Sequence, residues 1–384
     1  MMEKRTYFMP PMSMIGPGVL QDLGKEIKGL GVQRVLIVTD KILVKLQLAQ
    51  KIIDILDAVG IEHALFDAVQ PNPTCANVTE GLSVLQENSC DALVSLGGGS
   101  PQDCAKAIAI LATNGGDVRD YEGVGKSEKT SLPIVAVNTT AGTASEVTIN
   151  YVITDEDRHV KMVMVDKNCL ATITVNDPEL MLGKPAELTA ATGMDALTHA
   201  IEAYITKGAY RLTDALALEA IRLISESLRD AVKEGNNVEA RSKMAYGSFI
   251  AGMSFSNCGL GVVHSLAHQL GGVYDLPHGV CNAVLLPHVI RFNAASCGDK
   301  LREVAQAMGV DTKDMDRDQA NDAAIHAIVQ LSKDVGIPSG LAELGVDDSQ
   351  LNRMAEMALA DPCTPGNPRG MSLVDAIEIY ANAM

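Results

Sequence analysis

Five of the eight histidines in this 384-residue chain, His199, His264, His268, His278 and His288, fall between positions 199 and 288. Asp195 and His199 stand four apart in a helical pattern, so both side chains leave the same face. His264 and His268 repeat that spacing in GVVHSLAHQL, and His278 follows ten residues later, behind Leu276-Pro277. One carboxylate and several imidazoles on facing helices are the ligands of a divalent transition metal. Spacing alone leaves open whether His264 or His268 is the ligand. His63, His159, His288 and His326 are read as ordinary satisfied polar residues.

A second set of residues suits a dinucleotide. The apolar run at 91–96 leads directly into Gly97-Gly98-Gly99-Ser100-Pro101 and a helix expected to begin near Gln102. Glycines let backbone N–H groups approach an anion, the helix N-terminus adds partial positive charge, and Pro101 suits a first turn. The spacing is not GxGxxG, so the ordinary Rossmann fingerprint is absent. The run at 133–139 continues into TTAGTASE, eight residues with four hydroxyls and a glycine, placed where open α/β sheets bind ligands. Asp40 follows the run at 34–39. A carboxylate there can accept hydrogen bonds from an adenosine ribose and repel a 2′-phosphate, or it can simply cap a helix or turn.

The elements that must carry these residues change character along the chain. Strand-length apolar runs at 34–39, 61–66, 91–96 and 133–139 alternate with helical patterns such as 46–59 and 76–86. That alternation predicts βαβ units and a mostly parallel sheet with helices on both faces. Further strands are expected at 161–165 and 172–175. From about residue 185 the periodicity is helical, at 186–206, 211–233, 238–254, 261–270, 300–308, 319–335, 349–359 and 372–383. The expected fold class is α/β. An N-terminal Rossmann-like parallel-sheet dinucleotide-binding domain (1–184) precedes a C-terminal all-helical domain (185–384) that holds metal and catalysis, with a cleft between them.

Composition narrows the function classes. There are 48 acidic against 31 basic residues, a formal charge of −17, with no Trp and only five Phe. Such a chain lacks both the cations for phosphate contacts and the aromatics for base stacking, so no nucleic-acid partner is expected. No apolar run approaches the ~18–20 residues of a membrane span, and no signal peptide is visible. The eight cysteines are scattered without a CxxC, as reduced thiols would be. A cytoplasmic protein acting on small molecules is expected.

Two long signatures, PAELTAATGMDALTHAIE at 185–202 and GVVHSLAHQLGGVYDLPHGVC at 261–281, accompany GGGSPQDCAK and TTAGTASE. Together they resemble the iron-dependent (group III) alcohol dehydrogenase family over essentially the whole chain. The resemblance implies NAD(H) and Fe(II), with Zn(II) as a substitute. It assigns the metal to Asp195, His199, His264 and His278, and leaves His268 as the catalytic residue beside nicotinamide and substrate. Cofactor contacts would fall on Asp40, Asn72, Gly98, Gly99, Ser100, Asp103, Thr139, Thr140, Asn150 and Lys161, with Asp40 at the position that favours NAD over NADP. TINYVITD, ITKGAYRLTDAL, FSNCGLG and PCTPGNPR are most similar to members interconverting lactaldehyde and 1,2-propanediol, which would put Asn150, Phe255 and Cys363 at the alcohol. Phe255 and Cys363 read almost equally well as core packing. Members acting on methanol, 1,3-propanediol or other short alcohols share most of this frame. A homo-oligomer, in particular a dimer, is implied by the family as well. A related dehydroquinate-synthase-like lyase would need Lys and Arg to grip its anionic substrate, and residues 264–278 contain neither. A purely structural metal would favour a Cys-rich set, which the sequence does not offer.

Overall fold

The computed structural model describes residues 4–158 and 160–384; His159, and with it the reading of that residue, lies outside them. The chain forms two compact units, one of residues Met1–Thr140 and Ala144–Met181, the other of Ala141–Thr143 and Leu182–Met384.

The first unit is built on strands β1 (Met12–Ile15), β2 (Arg34–Val38), β3 (Glu62–Phe66), β4 (Ala92–Gly97), β5 (Gly123–Val124), β6 (Ile134–Asn138), β7 (Asn150–Asp155), β8 (Val160–Val165) and β9 (Ile173–Asn176). Its helices are α1 (Leu23–Gly29), α2 (Lys41–Lys45), α3 (Leu48–Val59), α4 (Cys75–Glu87) and α5 (Gly99–Asn114). Six strands pair in the order β1-β9-β6-β4-β2-β3, every pairing parallel. A parallel sheet is covered on both faces, and its central strands are therefore continuous apolar runs. Alternate residues serve opposite faces. Leu36, Val38 and Leu93 pack with Val78 and Ile108, whereas Val35, Ile37 and Val94 pack with Ile27, Ile52 and Leu56. The expected run at 161–165 does not extend this sheet. It lies in β8, which pairs antiparallel with β7 and parallel with β5 in a separate three-stranded sheet. The alternating burial of β7 explains the difference, since it matches a sheet covered on one face only.

The second unit contains α6 (Ala186–Ile205), α7 (Arg211–Lys233), α8 (Val238–Cys258), α9 (Val262–Tyr274), α10 (His278–Asn293), α11 (Lys300–Ala307), α12 (Arg317–Asp334), α13 (Leu351–Leu359) and α14 (Leu373–Asn382). Helix α6 is its central rod: every residue from Gly193 to Ile205 is buried, polar ones included. Helix α10 escapes the sequence reading because Pro287 lies inside it, where a proline normally ends a helical pattern. Among the described residues no single helix is long and apolar enough to cross a membrane.

Candidate metal centre and dinucleotide face

Three helices of the second unit bring the metal-type residues together. Asp195 and His199 come from buried turns of α6, His264 from the first turn of α9, and His278 opens α10. Asp195, His199 and His264 each offer a ligand atom, and these atoms all lie within 4.8 Å of one another. His278 joins them, with Nε2 3.7 Å from Asp195 Oδ1. The amide nitrogen of buried Asn282, one turn after His278, shows how tightly the lone pairs converge. It lies 2.7 Å from Asp195 Oδ1, 3.2 Å from His264 Nε2 and 3.1 Å from His278 Nε2.

Charge and tautomer suit a cation here. Burial holds His199 and His264 below the ordinary imidazole range and raises Asp195, so the imidazoles are neutral, the form in which they ligate. His199 Nδ1 is buried, has no hydrogen-bond partner among the described residues, and lies 3.9 Å from Asp195 Oδ2. The other nitrogen of His264 is engaged: Nδ1 meets Glu202 Oε2 at 2.5 Å, which directs Nε2 to the cluster. Glu202 also accepts the Val263 N–H at 2.7 Å, and burial pushes its carboxyl up to about 7. Three imidazoles, one carboxylate and a carboxylate behind an imidazole fit a divalent transition metal.

His268 stands beside this set rather than within it. Its ring stacks on His278 at 5.4 Å between centroids, and its Nδ1 lies 2.8 Å from Asp361 Oδ2. Burial would raise Asp361, but the His268 charge and hydrogen bond outweigh it and hold the carboxyl low. The ring of Phe255 stacks on His199, 4.3 Å between centroids and 15° from parallel. Phe255 therefore both packs in the interior and braces a candidate ligand. The Cys363 N–H donates to Asp361 Oδ1 at 2.9 Å, which places this cysteine beside the His268 partner, and its thiol is pushed well up by burial.

The dinucleotide-type residues lie in the first unit, along the C-terminal edge of the parallel strands. Helix α5 begins at Gly99, three residues before the expected start, and Gly98 caps it without any side-chain hydrogen bond. Its first N–H groups are thus free of a side-chain cap, as an anion site requires. A Cβ on Gly98 would come within 2.9 Å of Thr140 Cγ2, so only glycine keeps this turn against the hydroxyl loop. The loop is anchored from below: Thr140 N–H donates to Asn138 Oδ1 at 3.0 Å, Asn138 Nδ2 to Asn176 Oδ1 at 2.8 Å, and Asn176 Nδ2 to Glu146 Oε1 at 2.9 Å. Thr139, the residue before Thr140, is buried, with its N–H on Gly97 O at 3.1 Å. Ser100 lies in the first turn of α5.

The remaining residues fall into smaller groups. Lys161 Nζ donates to Asn72 Oδ1 at 2.8 Å, uniting two residues 89 apart in sequence. Asp40 caps α2, its Oδ1 accepting from Ile42 N–H at 2.8 Å and Leu43 N–H at 2.9 Å. The helix-cap reading of Asp40 is thus observed, while Oδ2 takes no part in it. Asp103 accepts from Ser145 Oγ at 2.5 Å and Val152 N–H at 2.9 Å. Asn150 Oδ1 is a buried acceptor with no partner among the described residues.

Sequence reasoning missed Glu202, Asn282 and Asp361. Glu202 could have been found, since it follows His199 by three on the same helix face. Asn282 stands one turn beyond His278 in the unexpected helix α10, and Asp361 is 93 residues from His268, with no signal joining them.

Comparison with known proteins defines the class. Residues 10–178 match the iron-containing alcohol dehydrogenase family, and residues 189–384 match the C-terminal part of the Fe-containing alcohol dehydrogenase family. The chain is 49% identical to a 1,3-propanediol dehydrogenase of Citrobacter freundii over 98% of both chains. It is also 49% identical to the lactaldehyde reductase of Escherichia coli strain K12 over 96% of both. A crystal structure of 1,3-propanediol oxidoreductase superposes with a TM-score of 0.98, at 48% identity and full coverage of both chains. The chain belongs to the iron-containing alcohol dehydrogenase family.

Proposed function

We propose that this enzyme interconverts a short primary alcohol or diol and its aldehyde with NAD(H), holding Fe(II), or Zn(II) in its place, at Asp195, His199, His264 and His278. The observation that carries the reading is that ligand atoms of Asp195, His199 and His264 all lie within 4.8 Å of one another, with His278 Nε2 3.7 Å from Asp195 Oδ1. When bound, the metal supplies Lewis-acid chemistry that brings the pKa of an alcohol toward neutrality. The protein's own groups do the rest. Glu202 fixes the tautomer of His264. His268, with Nδ1 on Asp361, presents Nε2 as the atom that takes or returns the hydroxyl proton. The uncapped start of α5 at Gly98, Gly99 and Ser100 receives the pyrophosphate, with Thr139 and Thr140 beside it. Asp40 Oδ2 accepts from the adenosine ribose, and Asn72, Asp103, Asn150 and Lys161 complete the cofactor contacts. The first unit thereby serves the cofactor and the second the metal and catalysis.

For substrate, lactaldehyde and 1,2-propanediol are the favoured pair, with Asn150 as the first unit's candidate contact and Phe255 and Cys363 as the second unit's. Support comes from the four subfamily-like stretches together with the 49% identity to a lactaldehyde reductase. A second reading, 1,3-propanediol, is favoured by relatives of equal identity and by the 0.98 TM-score. Assaying both diols and methanol with NAD⁺ on Fe(II)-loaded protein separates them: the true substrate gives the highest kcat/KM. A top value for methanol would remove the diol assignment. The eight free thiols support a reducing, cytoplasmic setting. The unpaired edge of β1, with Met12 exposed, supports a homodimer, which light scattering would read as twice the chain mass.

A further inference from the structure

Lys106 is among the most deeply buried side chains of the first unit, 1% exposed, on the third turn of α5. A buried ammonium is costly unless its donors are satisfied. Here Nζ reaches five oxygens drawn from only three residues. They are Ser145 O at 2.6 Å and Oγ at 3.0 Å, Thr148 O at 3.0 Å and Oγ1 at 3.1 Å, and Asn150 O at 2.7 Å. One point charge thus sets the path of the chain from Ser145 to Asn150.

Two groups with exposed consequences hang from that stretch. Ser145 Oγ, beside Nζ, donates to Asp103 Oδ1, and Asp103 lies one turn before Lys106 on the same helix face. Asn150, whose carbonyl is tied to Nζ, carries the buried and unpartnered Oδ1. That atom accepts hydrogen bonds and finds no donor among the described residues, which points to a donor on a ligand.

Sheet order says which part of the ligand. Neighbouring strands run β2, β4, β6, and they carry in turn Asp40, the Gly98 turn and Thr139 at their C-terminal ends. With adenosine ribose at Asp40 and pyrophosphate at Gly98, the other half of a dinucleotide extends toward β6 and the loop that follows it. Asn150 and Asp103 lie on that side. A carboxamide N–H₂ is the donor that an orphan amide oxygen would accept.

We propose that Lys106 is a positioning residue for the nicotinamide ring of the cofactor, acting through Ser145, Asp103 and Asn150. It touches neither cofactor nor substrate itself. The proposal rests on the dinucleotide reading above, and the test separates the two. NADH and ADP-ribose share everything except the nicotinamide base, since ADP-ribose keeps the second ribose. Their dissociation constants are measured by calorimetry on metal-loaded wild type, Lys106→Met and Ser145→Ala. Wild type binding both ligands upholds the dinucleotide site; binding neither overturns that reading and this one together. In Lys106→Met, NADH binding weakens about tenfold or more while ADP-ribose stays within about twofold. Ser145→Ala gives the same split, smaller, and decides alone if the Met variant does not fold. Equal weakening of both ligands, or no change in either, overturns the positioning role, because a merely structural lysine would not discriminate between them.

Discussion

Glu202 is the residue on which the orientation of His264 depends. Without it, Nδ1 has no carboxylate and the ring is free to turn or change tautomer. Carboxylates behind metal-bound histidines change metal affinity by about 10–100-fold. Glu202→Ala should lose that much in competition with a chelator, and an unchanged metal affinity would show that the pair is only structural. Asp40 offers a second test. As a cap, Asp→Gly costs only a few tenths of a kcal/mol, so the fold survives the change. Asp40→Gly should raise the kcat/KM ratio of NADP⁺ to NAD⁺ by about tenfold or more, and a ratio unmoved by the substitution removes the ribose role. Helical spacing made visible the residues that share a face one turn apart, Asp195 with His199 and His264 with His268. It did not disclose Asp361, whose pairing with His268 exists only in three dimensions. Nor did it disclose Lys106, which as a lysine in a helix reads as surface until its burial is known.

At the scale of elements, close approach of helices holds the metal-type residues together. A Cβ on Gly279 of α10 would stand 2.4 Å from Ala191 O and 3.3 Å from Asp195 Cβ, both on α6. Gly279→Ala must therefore push α10 off α6 and separate His278 from Asp195. We expect a loss of about 1–3 kcal/mol in stability with weakened metal retention, read by melting and by metal content. Gly272, also helical, meets nothing within 4 Å, so Gly272→Ala should leave metal content intact and stabilise by about 0.4–1 kcal/mol. Similar behaviour of the two variants would refute the close-packing argument. The central strands were legible because burial on both faces leaves unbroken apolar runs. Helix α10 was hidden by Pro287, and β1 by the absence of any apolar run in Met12–Ile15 comparable to that of Arg34–Val38.

For the molecule as a whole, the charge of −17 describes solubility and says little of the sites, where burial keeps His199 and His264 neutral and carboxylates such as Asp195 and Glu202 are buried. Acid response has a more local origin. Asp155, fully buried, receives hydrogen bonds from Arg119 and Arg158 that hold its carboxyl well below the usual range. The unfolded chain then takes up a proton more readily than the folded one, so this stabilisation is complete above about pH 4 and fades as pH falls further. Urea midpoints between about pH 4 and 2 should fall in wild type and be flatter in Asp155→Asn; parallel slopes would place the acid sensitivity elsewhere. Metal-dependent hydride transfer is the central activity to be measured. Protein stripped by chelator and reloaded with Fe(II) is mixed with NAD⁺ and 1,2-propanediol, and absorbance is followed at about 340 nm, beside the His264→Ala variant. A rise is expected for the reloaded wild type alone; a rise of equal rate in stripped protein or in the variant would contradict a catalytic metal at Asp195, His199, His264 and His278.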